Sequence, residues 1–588
     1  MTESLRTDRF AWLALGFGLI ATWWLPVMTQ PIVTFYKEWL FVLALGLGGL
    51  ILGPVSVGHR TLLRHPLVLA AGTILAVLLV QSATMDGVWR RATLTGSGVA
   101  FFVFTLMLGR DMRQRRGDES LLWLARCLVI AALGSCVFAA MQLLWVNSPV
   151  PFVVGRNGDR ISGNVAQANH FADLLWLACV GAALLFARRK LSLPVAAVVV
   201  VTLQVFAVFS GSRMIWAYVA FLVLIGAVCL LRRPQPELRR LAAGLMALGI
   251  AHVLVVGAVS MSGMLEKFGI TSAEQRAGSA AGEGSIHQRL WFWRAGIDAA
   301  TQHPLLGIGA GRFPGHSHAL AMQVADSPTS AADANAHNLF IHLAAELGVP
   351  LAIFVALCLI YWLITVWRRS SGEVNTVAAL GMVGLILIHA NLEHPLWYLY
   401  FLGLFGLLVG HVPDERRSTA YVQPRRESPN LLQFASFAVL LAAAAFYIQF
   451  ARLESAMQVL LAQVRQGAAP QPTAALSAKL AAIAPWTPFG DYAEAIALIS
   501  ARPTQDNAND LAARCERSVL FGPSPHLLAR CATALEVAGQ SVRASFFANS
   551  LCKLYPGSEH VLIESMVFVE ATSPAAGNLN SVCVDRVK

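Results

Sequence analysis

The stretch PLVLAAGTILAVLLVQSAT at residues 66–84 decides the fold of this chain. It carries no charged side chain and, as a helix, is long enough to cross the roughly 30 Å hydrocarbon core of a bilayer. The whole chain has the same character, because 56% of its residues are hydrophobic and only 13% are charged, whereas soluble domains carry about 25% charged residues. Lipid cannot satisfy exposed backbone groups, so such spans must be helical. We therefore predict an all-α, polytopic membrane helix bundle.

Apolar stretches of similar length recur between Phe10 and Phe450, and we predict thirteen transmembrane helices. The predicted spans cover residues 10–28, 39–57, 66–84, 93–109, 120–145, 169–187, 191–209, 214–231, 241–262, 339–367, 375–390, 396–411 and 431–450. The first span has no small-residue cleavage site behind it, so we expect a retained helix and not a signal peptide.

The lysines and arginines of the short loops predict the orientation of the bundle. With thirteen spans, the main basic clusters fall on one side, which is then cytoplasmic; they lie at residues 6–9, 59–64, 110–116, 188–190, 232–240, 368–369 and 416–426. The N-terminus is predicted to be inside and the C-terminus outside. The net charge of +11 is thus mostly a topology signal, and we expect no nucleic-acid partner.

Arg90 and Arg91 are an exception, because the same topology places both on the outer side. Two interpretations stay open. Either the boundary of the span is misplaced, or the two arginines form an anion site that faces outward.

We divide the chain into four regions: an N-terminal transmembrane bundle (1–262), a large outer loop (263–338), the C-terminal transmembrane helices (339–450) and an outer α-helical domain (451–588). In the last region, residues 526–558 have the pattern of helix, short turn and helix, and the second helix resembles that of a tetratricopeptide unit. We expect a small TPR-like domain for protein contact.

The cysteines follow the same division. Five of the nine lie in predicted spans, where a buried thiol behaves as a small hydrophobe. The other four, Cys515, Cys531, Cys552 and Cys583, lie in the outer domain, where disulfides are permitted, and three pairings are open. The chain contains no CxxC or HExxH spacing, so we expect no metal centre.

Polar residues that a membrane bundle does not require gather on the outer side. Asn164, Gln167 and Asn169 precede the sixth span, where they either supply neutral hydrogen bonds to a polar ligand or simply end a loop and cap a helix. Arg213 stands in a tight turn between two spans, where an arginine can also merely snorkel. Arg289 and Arg312 flank a Gly-rich turn at 307–311. Three arginine sites around one loop favour a surface that binds phosphate, since the guanidinium fork suits a diphosphate.

The segment NAHNLFIHLAAELGVP at residues 335–350 places histidines at the edge of an apolar helix. Asn338, His342 and Glu346 are spaced four apart and predict one polar stripe on that helix. His337 stands at the helix N-terminus, where the helix dipole disfavours a charged imidazole, so a neutral base is one interpretation and an interfacial hydrogen bond the other. Tyr398, in HANLEHPLWYLYF at 389–401, is either a ligand contact or part of the aromatic belt.

Four segments together resemble the O-antigen ligase and polymerase superfamily, and within it the PglL-type bacterial protein O-oligosaccharyltransferases. They are SGNVAQANHFADLLW (162–176), RLWFWRAGIDAATQHPLLGIGAGRF (289–313), DANAHNLFIHLAAELGVP (333–350) and LEHPLWYLYF (392–401). The resemblance spans about residues 150–410. The block with His337, Asn338, Glu346 and Gly348 is common to the superfamily, whereas the Gly-Asn-x-x-Gln-x-Asn block points to protein glycosylation.

The resemblance implies a glycosyltransferase of the bacterial inner membrane with its active site in the periplasm. Such an enzyme takes a glycan from undecaprenyl pyrophosphate and transfers it to a Ser or Thr hydroxyl of a periplasmic protein such as a pilin. It implies no metal, nucleotide or other cofactor at this step.

The resemblance also implies roles for single residues of the large periplasmic loop and its neighbours. His337 matches the base that removes the acceptor proton, and Arg213 and Arg289 match the arginines that hold the pyrophosphate. Gln167 and Asn169 match the polar block on the glycan or acceptor side. His394 stands where the family often has an aromatic residue, and Tyr398 can supply that contact instead.

Two alternatives stay open. An O-antigen ligase or polymerase would use the same residues on a sugar hydroxyl, and the nature of the labelled product distinguishes it. A transporter of the lipid-linked glycan would carry charged residues near the midplane of its spans, whereas here the charges stand at the ends.

Overall fold

The computed structural model describes residues 2–52, 62–145, 151–156, 158–232, 235–277, 280–329, 333–413, 431–466 and 470–570. Within these ranges the chain is helical and forms no sheet. The helices are α1 (Thr2–Trp24), α2 (Phe35–Ile51), α3 (Pro66–Thr84), α4 (Trp89–Arg116), α5 (Glu119–Leu144), α6 (Ala168–Ala187), α7 (Leu193–Phe209), α8 (Ile215–Leu231), α9 (Pro236–Met261), α10 (Met264–Lys267), α11 (Ala273–Ala277), α12 (Ala280–Gln302), α13 (Phe313–Gln323), α14 (Leu339–Leu347), α15 (Val349–Ser370), α16 (Val374–Ala390), α17 (Leu399–His411), α18 (Leu431–Arg465), α19 (Ala474–Ala481), α20 (Gly490–Ser500), α21 (Ala508–Val519), α22 (Pro525–Val537), α23 (Ser541–Leu554) and α24 (Glu559–Glu570).

Each predicted span overlaps a helix, and the tenth overlaps two; residues 53–57 of the second span lie outside the described residues. Seven helices of the described residues are long and apolar enough to cross a membrane, namely α3, α4, α5, α6, α9, α15 and α18. The chain is therefore a multi-pass membrane protein, while the count of thirteen spans stays a prediction. The helix predicted to end near residue 450 continues without a break to Arg465.

Gly348 divides the tenth predicted span into α14 and α15. Its φ of 98° is strained for any residue with a side chain, and a Cβ there would lie 2.1 Å from the carbonyl oxygen of Leu305. The Gly-rich turn packs against the same place, because the N–H of Ile308 donates to the carbonyl of Ala345 at 2.9 Å. This turn therefore braces the end of α14 through its own backbone.

Two of the predicted cytoplasmic clusters, at residues 188–190 and 232–240, meet at one end of the bundle. The guanidinium of Arg188 donates to Asp118 at 2.7 Å and to Glu237 at 2.6 Å, and Arg232 donates to Ser371 at 2.7 Å. Loops far apart in sequence thus share one polar surface. Which side of the membrane this surface faces stays a prediction.

Helix α6 is the centre of the bundle. Trp176, Leu177 and their neighbours on every face of the helix are fully buried, as expected of a helix that is hydrophobic all round. Its first turn carries Asn169, His170 and Asp173, so the most buried of the candidate spans positions the polar residues at its start.

The C-terminal helical domain (470–570) packs α22 against α23, and the chain reverses between them at Gly539. A disulfide joins Cys515 to Cys531, while Cys583 lies outside the described residues. The predicted helix pair is confirmed, whereas a TPR-like repeat stays a prediction.

Arg90 and Arg91 attach this domain to the bundle. Arg90 donates to one carboxylate oxygen of Asp491 at 3.1 Å and Arg91 to the other at 3.0 Å. Arg91 also donates to the hydroxyl of Tyr492 at 3.1 Å and stacks over its ring. The anion that these two arginines bind is therefore a carboxylate of the same chain, and Asp491 is 7% exposed at its side chain.

We expect Asp491→Asn to loosen the C-terminal helical domain, because the change leaves two partly buried guanidinium groups without their carboxylate. Hydrogen exchange should speed up in α20 by about 10-fold or more, with the bundle unaffected. Asp510→Asn is the matched control, since Asp510 is 69% exposed and pairs only within the domain, with Arg514. Equal exchange in both variants would contradict the clamp.

Candidate active site

His337 is held in a strained backbone conformation directly before α14. Its φ of 55° lies in the left-handed region that non-glycine residues rarely adopt, and Asn338 caps the helix by accepting from the N–H groups of Phe340 and Ile341, both at 3.1 Å. Such strain concentrates at functional sites. The predicted position of His337 at the helix N-terminus is confirmed.

Asp333 orients the imidazole of His337. The Nε2 atom lies 3.3 Å from a carboxylate oxygen of Asp333, and Nδ1 is enclosed without a partner among the described residues. Burial alone would raise the pKa of Asp333, but the hydrogen bond and charge of His337 outweigh it and hold that pKa below its usual value. An ionised Asp333 only accepts hydrogen bonds, so Nε2 of His337 is the donor in this contact.

Two rings enclose the imidazole of His337. Phe292 of α12 stacks on it with 5.1 Å between centroids, and His394 meets it edge to face at 5.2 Å. Burial lowers the pKa of His394 to about 4, so this second ring is neutral near pH 7. His394 thus packs against the imidazole of His337, a contact that the sequence did not predict.

Glu393, the neighbour of His394, is the centre of a hydrogen-bond network. One of its carboxylate oxygens accepts from Arg289 at 2.8 Å and from Asn169. The other accepts from Gln167 at 3.1 Å. Burial would raise the pKa of Glu393, but His389 and Arg289 outweigh that effect and hold it well below its usual value. The network joins three of the predicted site residues through one carboxylate.

A second carboxylate stands behind this network. His389 lies between Glu393, 3.3 Å from Nε2, and Asp173, 2.5 Å from Nδ1. The other oxygen of Asp173 accepts from the hydroxyl of Tyr218. His389 and Asp173 are fully buried, so the chain Tyr218–Asp173–His389 anchors Glu393 to the interior of α6, α8 and α16.

Arg289, the partner of Glu393, belongs to a cluster of four arginines with Arg160, Arg213 and Arg276. Arg160 donates to the amide oxygen of Asn169 at 2.6 Å and to the carbonyl of Ser210 at 2.7 Å, and Arg213 donates to Ser285 at 3.1 Å. Burial, with the charges of Arg289 and Arg276, lowers the pKa of Arg213. Burial and the charge of Arg276 likewise lower the pKa of Arg160 to about 10. This crowding of cations favours an anionic ligand.

Two residues predicted for the site lie elsewhere. Arg312 donates to the backbone carbonyl of Asp86, at the turn between α3 and α4, and makes no described contact with the arginines around Glu393. Asn164 is fully buried and bonds to the backbone of Trp24, Phe152 and Val154 at 2.7, 2.9 and 3.0 Å. Its amide therefore fixes the loop that carries Gln167.

The other predicted contacts border the site. Glu346 pairs with His342 at 3.4 Å and accepts from the N–H of Phe313 at 3.1 Å, so the predicted stripe continues from His342 to Glu346 while Asn338 caps the helix. Tyr398 packs edge to face on His170 with 4.5 Å between centroids. Glu346 also lines a cavity of about 440 Å³ between α3, α4, α14 and α17.

Sequence reasoning missed Asp333, Arg160 and Glu393 as members of the site. Asp333 stands four residues before His337 in the sequence, and its carboxylate reaches the imidazole only because the loop folds back. Glu393 belongs to the polar segment at 389–401, but nothing in the sequence predicts its contact with Arg289, which is 104 residues away along the chain.

One group of the described residues has the geometry of a metal site. The ligand atoms of His170, His389 and Glu393 lie within 4.8 Å of one another. Each residue already has a protein partner, however, because His170 pairs with Tyr400 at 3.0 Å and His389 has a carboxylate at each nitrogen. Glu393 is occupied by Arg289. In this structure the group therefore forms one hydrogen-bond network.

A long groove runs beneath the arginines. It lies between α8, α15 and α16, has a volume of about 1010 Å³, and reaches from Trp367 and Arg368 at one end to Ala217, Asn391 and Leu392 at the other. Its lining is almost entirely apolar. Ala217 is one helical turn from Arg213 and Leu392 adjoins Glu393, so the upper end of the groove opens directly under the charged site.

The geometry defines a class of protein: a multi-pass membrane protein with a histidine and an arginine cluster at the end of an apolar groove. Family models agree with it. Residues 196–356 match the O-antigen ligase model, and residues 377–565 match the model described as the C-terminal part of a virulence factor membrane-bound polymerase. The chain is also 28% identical over 428 residues to a general O-oligosaccharyltransferase of Acinetobacter baylyi, covering 70% of this chain and 72% of that protein. The resemblance to the O-antigen ligase superfamily, and within it to the protein O-oligosaccharyltransferases, is confirmed.

Proposed function

We propose that this protein transfers a glycan en bloc from undecaprenyl pyrophosphate to Ser or Thr hydroxyls of periplasmic proteins, pilin-like proteins among them. Its place would be the bacterial inner membrane, with the site facing the periplasm. The similarity to the general O-oligosaccharyltransferase of Acinetobacter baylyi supports glycan transfer to protein. The observation that carries the proposal is the pair Glu393–His394, whose side chains contact Arg289 on one side and His337 on the other.

In the proposed mechanism this pair holds the base next to the cation cluster, as a direct displacement requires. In the proposed step Nδ1 of His337 takes the proton of the acceptor hydroxyl while its oxygen attacks the anomeric carbon. The bond from that carbon to the phosphate oxygen breaks, and Arg289 and Arg213 stabilise the charge on the departing pyrophosphate. One base and a stabilised leaving group suffice for inversion, whereas retention needs a nucleophile as well. A retained anomeric configuration in the product would contradict this step.

The groove between α8, α15 and α16 is the proposed place of the polyprenyl chain of the donor. It is apolar over the height of the bundle and ends under Arg213 and Glu393, where a pyrophosphate attached to the chain would arrive. Hydrocarbon burial contributes about 0.8 kcal/mol per methylene, so the chain would supply binding and the arginines orientation.

We expect Ala217→Trp to block the upper end of the groove and to raise KM for the undecaprenyl donor by about 10-fold or more. With a donor that carries a short isoprenoid chain, the same variant should behave like wild type, because that chain does not need the groove. Ile360→Trp, at an exposed position on the lipid side of α15, is the matched control. Equal effects on both donors would exclude the groove as the site of the chain.

The proposed function is tested with the purified membrane protein, undecaprenyl-pyrophosphate glycan and three acceptors, with and without a chelator. The acceptors are a pilin-like protein, lipopolysaccharide core and a second lipid-linked glycan. Label on the protein, unchanged by chelator, is the expected result. Label on core or longer lipid-linked chains would instead identify a ligase or a polymerase. Movement of the donor across the membrane without transfer would identify a transporter.

A further inference from the structure

Glu393 poses a problem of charge. A site for a pyrophosphate should repel other anions, yet a carboxylate that is only 8% exposed lies at its centre, with Arg289 at 2.8 Å. Taken alone, such a carboxylate lowers the affinity for an anionic donor by Coulomb repulsion. Its presence therefore requires a compensating role.

The contacts of Glu393 indicate that role. Oε1 of Glu393 accepts hydrogen bonds from Arg289 and Asn169. The amide oxygen of Asn169 in turn accepts a hydrogen bond from Arg160. Two arginines on different elements, the loop before α6 and helix α12, are thus fixed relative to one another through a single carboxylate. A guanidinium on a flexible side chain loses entropy when it meets a ligand, and a guanidinium already held in place does not.

The anchoring of Glu393 fits this role. His389 contacts Glu393 from the interior of the bundle at 3.3 Å and is itself held by Asp173 at 2.5 Å, while Gln167 donates to the same oxygen of Glu393 at 3.1 Å. Arg289, Asn169 and Gln167 all donate to this carboxylate. The carboxylate consequently has one fixed orientation, which in turn fixes the orientation of Arg289 and, through Asn169, of Arg160.

We propose that Glu393 is a positioning residue of the donor site, which holds Arg289 and the Arg160–Asn169 pair in the orientation that receives the pyrophosphate. The inference rests on the proposed function and adds Glu393 and Arg160 to the residues that serve it. Glu393 acts through the arginines and does not touch the reacting atoms. Preorganised charges of this kind contribute more to the transition state than to the ground state, because they need no reorganisation during reaction.

The test compares Glu393→Gln, Glu393→Asp and Asp159→Asn in the full-length membrane protein. Asp159 is the matched control, because it pairs with Arg276 at 3.2 Å and acts on Arg160 electrostatically as Glu393 does, but does not contact Arg289. Both neutral variants remove one negative charge from the same cluster. The readouts are kcat, KM for the donor, and equilibrium binding of undecaprenyl pyrophosphate without glycan.

For Glu393→Gln we expect kcat to fall by about 10- to 100-fold, the range seen when a group that orients a functional residue is removed. Binding of undecaprenyl pyrophosphate should weaken although a repelling charge is gone. Glu393→Asp should lie between this variant and wild type, and Asp159→Asn should keep kcat and bind the pyrophosphate as well as wild type or better.

Unchanged kcat with tighter pyrophosphate binding in Glu393→Gln would overturn the inference, since it would show a carboxylate that only repels. Should Glu393→Gln fail to fold, Glu393→Asp decides: its carboxylate is one methylene further from Arg289, and a wild-type kcat would equally overturn positioning. Absence of transfer by wild type to every acceptor would overturn the proposed function instead, while the binding measurements still test Glu393.

Discussion

His337→Ala is expected to reduce kcat/KM for glycan transfer by about 10²- to 10⁴-fold, the range that a general base contributes. A serine or threonine hydroxyl attacks poorly while it keeps its proton. Among the described residues, the imidazole of His337 alone combines an orienting carboxylate, at 3.3 Å, with an enclosed nitrogen that has no hydrogen-bond partner. Asp333→Asn should give a smaller loss, because the amide can hold the ring but in the wrong tautomer.

The measurement is initial transfer rate against pH in the purified system, with donor binding measured separately. His316→Ala is the matched control, since His316 belongs to α13 of the same loop and pairs with Asp298 at 2.9 Å, away from Glu393. Donor binding by His337→Ala should stay within about 3-fold of wild type, as expected of a group that acts in the transition state. Undiminished transfer would return His337 to an interfacial hydrogen bond and move the base elsewhere.

The helices of the bundle could be predicted because the membrane imposes one rule on every span. A stretch such as 66–84 has no other way to satisfy its backbone in lipid, and the structure begins and ends α3 at the predicted residues. The division of the tenth predicted span into α14 and α15 follows from Gly348 and Pro350, which end one helix and begin the next. The ends of helices that continue beyond the apolar span could not be predicted in this way, as the continuation of α18 to Arg465 shows.

Only some residues of the site could be predicted from the sequence, because the spacing of residues within a segment does not show which loops contact one another. The sequence identified His337, Arg213 and Arg289 by their chemistry and by resemblance. It also grouped Arg312 with them, since an arginine next to a Gly-rich turn looks like a phosphate site. The structure shows that this turn pairs its backbone with α14 and that Arg312 bonds to the turn at Asp86.

Arg90 and Arg91 of α4 also show which contacts the sequence could not predict. Their position against the charge rule was visible in the sequence, and so was the possibility of an anion. Their partner, Asp491, is about 400 residues away and belongs to another domain. Only the fold could show that the anion was part of the chain.

Arg289→Ala is expected to reduce kcat/KM by about 10²- to 10³-fold, as does the removal of a preorganised donor to a developing charge. The change removes a cation from the leaving group and leaves Glu393 buried without its guanidinium. Arg289→Lys should recover little, because an ammonium is a point charge and does not present the planar fork that pairs with both a carboxylate and a phosphate. Kinetics with the undecaprenyl donor, and product analysis after single turnover, measure the loss.

Arg312→Ala is the control that tests the geometry as well as the chemistry, and we expect activity within about 3-fold of wild type. A loss equal to that of Arg289→Ala would place Arg312 in the donor site after all.

The double variant Arg289→Ala with Glu393→Gln separates charge from position. If the two side chains act as one unit, it should recover stability, since no buried carboxylate stays unpaired, but not activity, and the two single losses should not add. Recovery of activity would mean that Arg289 serves only to neutralise Glu393, and the pyrophosphate would then have to be bound by Arg160 and Arg213 alone.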